Sequence, residues 1–153
     1  MKQFSLGIIA AIGLTLPAFG QSVDPPVGTW KMNVEKSIAV GIPPFQSLIQ
    51  NYSGEGQNFI DTVDAVNNQG QVTHSVFRHI YDGVPHPTTG NPDYDSTAYT
   101  RIGNTINGVR FRQGNTAEVM QGVIVPGKTY TITAEGIAAN GQPYHYVLVL
   151  ERQ

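Results

Sequence analysis

Residues 56–76 and 127–147 are two copies of one hairpin, aligned without a gap at an offset of 71 positions. The copies read GQNFIDTVDAVNNQGQVTHSV and GKTYTITAEGIAANGQPYHYV. Gly56/Gly127, Thr62/Thr133, Gly70/Gly141, Gln71/Gln142, His74/His145 and Val76/Val147 are identical, and Phe59/Tyr130, Asp64/Glu135, Val66/Ile137 and Gln69/Asn140 keep their chemistry. A chain that repeats a two-strand ribbon in each half is laid out as a meander. A meander with many strands must split into two layers or close on itself.

The punctuation between the copies follows the same plan. Segments rich in β-branched and aromatic residues predict strands at 28–33, 46–52, 58–66, 72–81, 96–102, 105–113, 116–125, 129–137 and 144–151. They are separated by Gly54/Gly56, Gln69-Gly70, Asp82-Gly83, Gly103-Asn104, Gly114-Asn115, Pro126-Gly127 and Asn140-Gly141, which accept positive φ or preset a turn. Every glycine reads as lying in or near such a turn. Residues 34–45 are ambiguous, with a short helical turn at 35–37 before Gly41 and Pro43-Pro44 stop it. No longer window carries a helical stripe. The expected fold is therefore all-β: a single antiparallel up-and-down β-barrel of about 8–10 strands with an internal hairpin repeat, closed because closure removes exposed edges. Residues 82–95, DGVPHPTTGNPDYD, hold three prolines and two glycines. They are expected not to pair continuously, and to form a spacer at the barrel mouth rather than a lid, because they offer no apolar face.

Two-residue parity sorts the side chains. In the last strand Tyr144, Tyr146, Leu148 and Leu150 are larger and more apolar than the residues between them, so they face inward. The offset carries this to Thr73, Ser75, Phe77 and His79. The preceding strand contributes Tyr130, Ile132, Ala134 and Gly136, and by the same offset Phe59, Asp61, Val63 and Ala65. His74 and His145 fall outside, as cross-strand partners of Asp64 and Glu135. His79 falls inside beside Phe77 and Tyr81, where a buried imidazole needs a core hydroxyl or a bound ligand as partner.

At the start of the chain Lys2, an apolar run from Leu6 to Leu16, Pro17 and the small residues Ala18 and Gly20 have the form of a signal peptide cut after Gly20. The run is shorter than the roughly 20 residues a membrane span needs. Residues 1–20 are thus expected to be removed, 21–27 to form a Pro25-Pro26 leader, and 28–153 to be the barrel domain of a periplasmic or secreted protein. Once Lys2 is gone, eight basic residues face eleven acidic ones. No dense cationic face is available for nucleic acid or anionic lipid. The absence of cysteine removes disulfides, thiol catalysis and cysteine-ligated metals.

Motifs for chemistry are sparse. His79, His86, Asp93 and Asp95 lack a metal-ligand spacing, and Asp93–Ser96 lacks the glycine and distal glutamate of a calcium loop, so no metal or other cofactor is expected. No G-x-S-x-G is present. A carboxylate pair for hydrolysis could be drawn from Asp61, Asp64, Glu118 and Glu135, of which Asp61 alone is placed inside. Trp30, Phe59, Phe77, Tyr81, Phe111, Tyr130, Tyr144 and Tyr146 are spread over most strands, and they either fill the barrel or line a cavity.

The opening Gly28-Thr29-Trp30 resembles the Gly-x-Trp signature of lipocalin-like (calycin) barrels, and GTWKMNVEKS with YDGVPHPTTGNPDYDS resembles small exported bacterial proteins of uncharacterised function. The resemblance implies that Trp30 packs across the closed end, with Arg152 as the only counterpart of the arginine near the end of secreted lipocalins. The leading expectation is an exported barrel that binds a small, mostly apolar ligand, with Phe77, His79, Tyr130 and Tyr146 as the wall. The alternatives are a packed barrel acting as an extracytoplasmic interaction module, and a hydrolase or isomerase using His79 and Asp61. Oligomeric state is left open.

Overall fold

A computed structural model describes residues 27–55 and 58–153. The expected signal peptide, and all of the leader but Val27, lie outside the described residues. Among these residues eleven strands form one antiparallel sheet: β1 (Gly28–Met32), β2 (Ile38–Val40), β3 (Phe45–Glu55), β4 (Asn58–Asn67), β5 (Val72–His79), β6 (His86–Pro87), β7 (Ser96–Ile102), β8 (Thr105–Arg112), β9 (Asn115–Val125), β10 (Thr129–Ile137) and β11 (Pro143–Arg152). Their order is β5-β4-β3-β1-β11-β10-β9-β8-β7-β6, with β2 also on β11. The nine expected strands are all present, and β2 and β6 are additions.

β1 and β2 act as one interrupted strand. β1 pairs Met32 with Leu150 and Trp30 with Arg152, while β2 pairs Val40 with His145. Between them Val34–Lys36 makes the short helical turn, capped by the Asn33 side chain accepting from the Lys36 N–H. The ladder survives the break. Asn33 N–H donates to the Val149 carbonyl (2.8 Å), and the Val149 N–H donates to Ser37 Oγ (3.0 Å).

The repeat holds at the level of register. Asp64 lies opposite His74 and Val63 opposite Ser75, and Glu135 and Ala134, 71 positions on, lie opposite His145 and Tyr146. The turns match too: Asn67 N–H donates to Gln71 O (3.1 Å) and Ala138 N–H to Gln142 O (2.9 Å), with Gly70 and Gly141 at φ 78° and 82°. Glycine is favoured there because φ is positive. Every residue assigned inward by parity is buried or half-buried, and His74 and His145 are exposed. His74 Nδ1 lies 2.6 Å from Asp64 Oδ1.

Residues 82–95 do more than space the barrel. Thr88 N–H donates to Asp95 O (2.9 Å) beside β6, and the next residue closes the sheet: Val76 N–H donates to Thr89 O (2.9 Å) and Thr89 N–H to Val76 O (3.2 Å). Gly90 follows at φ 75°, where a Cβ would overlap the His74 carbonyl oxygen. The expectation of a passive spacer is corrected: prolines prevent a long ladder but leave the N–H of Thr89 free to make a two-bond seam.

Not every glycine serves a turn. Gly108, Gly122 and Gly136 lie within β8, β9 and β10, where added Cβ atoms would fall 2.7 Å from the Tyr99 ring, 2.5 Å from the Tyr130 ring and 2.7 Å from the Tyr144 hydroxyl. Each leaves a slot in the barrel wall over which a tyrosine from another strand lies.

Candidate functional site: an internal cavity with a neutralised ion pair

The barrel interior has two ends of different character. At the first, Trp30 is fully buried, edge-on to Tyr130 at 6.1 Å, and the Arg152 guanidinium lies 5.9 Å above its indole. Tyr130 meets Tyr52 edge-on (6.2 Å), and His79 stacks on Tyr99 at 3.8 Å with 11° between the planes. The Tyr52 hydroxyl is 3.0 Å from His79 Nε2 and 3.2 Å from Nδ1, so it pairs with the imidazole in either tautomer. Asp61 Oδ2 stands 3.5 Å from Nε2 and accepts a 2.6 Å hydrogen bond from Gln50 Nε2. Burial pushes the His79 pKa below its ordinary value, and the Asp61 contact offsets this only in part. A neutral imidazole in a dry aromatic box follows.

The other end is hollow. A cavity of about 630 Å³ opens among the turns at Gly41–Pro43, Asn67–Gln71, Asn91–Tyr94 and Ala138–Asn140, and its walls include Phe45, Leu48, Phe77, Ile132, Tyr146 and Leu148. The volume falls within the range of about 300–1,000 Å³ usual for small-molecule sites. A second depression of about 650 Å³, more open to solvent, is edged by Val40, Val119, Ile137 and Pro143 and is backed by Glu118 and Tyr144.

One polar cluster stands at the cavity wall, with Tyr94, Arg110, Tyr144 and Tyr146 lining the void and Glu118 behind them. Arg110 comes from β8 and Glu118 from β9, directly paired across the ladder, next to a register shift at Arg110/Phe111. Arg110 Nη1 is 2.7 Å from Glu118 Oε1, and the Glu118 side chain is 0% exposed. Glu118 also accepts from Tyr146 on Oε1 (3.0 Å), and from Tyr144 (2.7 Å) and Tyr94 (2.8 Å) on Oε2. The guanidinium carbon lies 5.0 Å from the ring centres of both Phe77 and Tyr94. Burial, reinforced by the Glu118 charge, holds the three phenols well above their usual pKa, so all three remain donors at neutral pH. Four donors saturate one carboxylate, which has about four lone-pair sites.

Of the residues expected to form a ligand wall, Phe77 and Tyr146 line the cavity, whereas His79 and Tyr130 are packed into the closed end and do not. All four point inward, but parity fixes only the face of a strand; height along the barrel decides which inward residues meet empty space. The expected hydroxyl partner of His79 is Tyr52. Asp61 and His79 do meet, at 2% exposure each, yet neither reaches the cavity, and Asp64 and Glu135 lie outside. His86 pairs with Asp82 (3.0 Å), Asp93 lies 3.8 Å from Arg112, and Asp95 binds Ser96 (2.8 Å), so these do not converge with His79. Among the described residues no three His, Asp or Glu side chains gather to hold a metal. A barrel filled throughout by its own side chains is likewise corrected, since filling holds at one end only. Arg110, Glu118 and Tyr94 were missed as a unit. Arg110 shares parity with Ile106 and Gly108, and Glu118 with Met120, Gly122 and Ile124, which was the available signal.

No protein-family model matches the chain, and no curated protein matches it. Among solved structures the chain is similar to the zebrafish ileal bile acid-binding protein crystallised with cholic acid, at 14% identity over 83% of this chain and 98% of that one, with a TM-score of 0.49. No ligand, activity or residue role passes from that likeness to this chain.

Proposed function

We propose that this protein binds a small, mostly apolar molecule inside the open end of its barrel. The observation that carries the reading is the 630 Å³ cavity walled by aliphatic and aromatic side chains, in a barrel whose opposite end is packed solid. Desolvation of an apolar ligand against Leu48, Phe77, Ile132 and Leu148 supplies the driving force. The aromatic plug at Trp30 closes the barrel end opposite the cavity. Titration with the neutral dye N-phenyl-1-naphthylamine tests this. The wild type gives a saturable rise in emission, and Ala65→Phe, which puts a ring into the void, weakens binding by roughly tenfold or more. Equal binding by Ala65→Phe, or none by the wild type, sinks the reading.

Export is part of the same proposal. It rests on the Lys2, Leu6–Leu16 and Ala18–Gly20 pattern, which has the form of a signal peptide and would send such a binder to the periplasm or outside the cell. The mass of the protein recovered from the native host checks it: an N-terminus at Gln21 is expected, and a retained Met1–Gly20 segment refutes it.

A further inference from the structure

The cavity's electrostatics say what kind of molecule it takes, an inference that rests on the binding reading above. Arg110 is the only cation among the described residues lining the cavity. Its Nη1 is spent on Glu118 and Tyr146 (2.7 and 3.0 Å), Nη2 touches Met120 Sδ at 3.7 Å, and the rings of Phe77 and Tyr94 each lie 5.0 Å from the guanidinium carbon. Glu118 is saturated in turn by Tyr94, Tyr144 and Tyr146. An anionic ligand that took Arg110 for itself would strand a buried carboxylate. Nε of Arg110 and Oε1 of Gln50, although they belong to lining side chains, are buried behind the cavity surface and do not face the void.

We propose that Glu118 is the selectivity residue of the site and that the ligand is an uncharged, mostly apolar molecule. Glu118, by cancelling the guanidinium charge from within the wall, excludes carboxylates that would otherwise be drawn to it.

Displacement of N-phenyl-1-naphthylamine from the full chain by decan-1-ol, decan-2-one and decanoate at neutral pH reads the preference. In the wild type both neutral compounds compete roughly tenfold or more better than decanoate. Because any apolar pocket disfavours a charge, the deciding comparison is Glu118→Gln, which keeps the shape and uncovers the Arg110 charge. Decanoate then gains at least about tenfold and overtakes the neutral pair. Decanoate competing best in the wild type, or unchanged in E118Q with native Trp30 emission, overturns the proposal. If E118Q does not fold, the double variant Arg110→Met, Glu118→Leu decides: with both charges gone it keeps the wild-type ranking, and a gain in decanoate affinity overturns the proposal. A wild type that fails to bind the dye defeats the binding reading itself, whereas dye binding with decanoate preferred defeats only the ligand class.

Discussion

Both ends of the barrel are built from tyrosines, yet one end is solid and the other hollow. At the closed end Tyr52, Tyr99 and Tyr130 lie edge to face or stacked against Trp30 and His79, and their bulk is admitted by Gly108 and Gly122 in the wall. At the open end Tyr144 and Tyr146, nearly parallel at 6.2 Å, turn their hydroxyls onto Glu118 with Tyr94 instead of filling the middle. The difference lies in what holds the rings. Rings held by other rings close a volume, while rings tied by their hydroxyls to a carboxylate in the wall stay near the wall and leave room.

The largest effect that tests this contrast is truncation of one ring at each end. Tyr130→Ala, which removes a fully buried ring packed on Trp30 and Tyr52, is expected to cost about 3–5 kcal/mol in urea unfolding followed by circular dichroism. Phe77→Ala enlarges a void that already exists and is expected to cost less, by more than about 1 kcal/mol. Equal losses would mean that the two ends are packed alike.

A smaller effect comes from filling a glycine slot. In Gly122→Ala the new methyl would sit 2.5 Å from the Tyr130 ring, so the closed end must shift, at a cost of about 1–3 kcal/mol. Exposed Gly70, with nothing within 4 Å, is no guide to it, because its constraint is a positive φ. A neutral or stabilised Gly122→Ala would show slack where the contrast requires tight packing.

The gentlest probe is pH. His79 has a folded-state pKa below its ordinary 6.5, so the unfolded chain takes up the proton first. The stability this provides is complete above about pH 6.5 and is lost as pH falls from there toward the folded value. Unfolding free energy should therefore decline below pH 6.5, and His79→Gln should flatten the decline before the carboxylates begin to titrate. A wild type insensitive to pH across that window would place His79 in contact with solvent and unlock the closed end.

Much of this was legible in the sequence, for a physical reason: strand parity and hairpin turns are local properties. The offset of 71 fixed the partners Asp64/His74 and Glu135/His145, and Tyr144 to Leu150 declared the inner face. The division into two ends was not legible, because His79 and Phe77 have the same parity and differ only in what stands across the barrel from them. The Arg110–Glu118 pair was hidden for a related reason. A charged residue in a strand reads as outward, and only the three phenols arriving from β11 and the loop before β7 make burial tolerable. The seam at Thr89 was obscured by its prolines, since two hydrogen bonds leave almost no trace in composition.

That seam has a mechanical consequence. Every other junction around the circumference is a ladder, but β5 meets Thr89 through one reciprocal pair of amide bonds, with Gly90 pressed against the His74 carbonyl beside it. A hoop stretched from within parts at its weakest stave. A guest too wide for the mouth would load this junction first, so the Val76 and Thr89 amides would exchange deuterium ahead of the neighbouring ladders, and the chain between Asp82 and Asp95 would serve as the barrel's expansion joint.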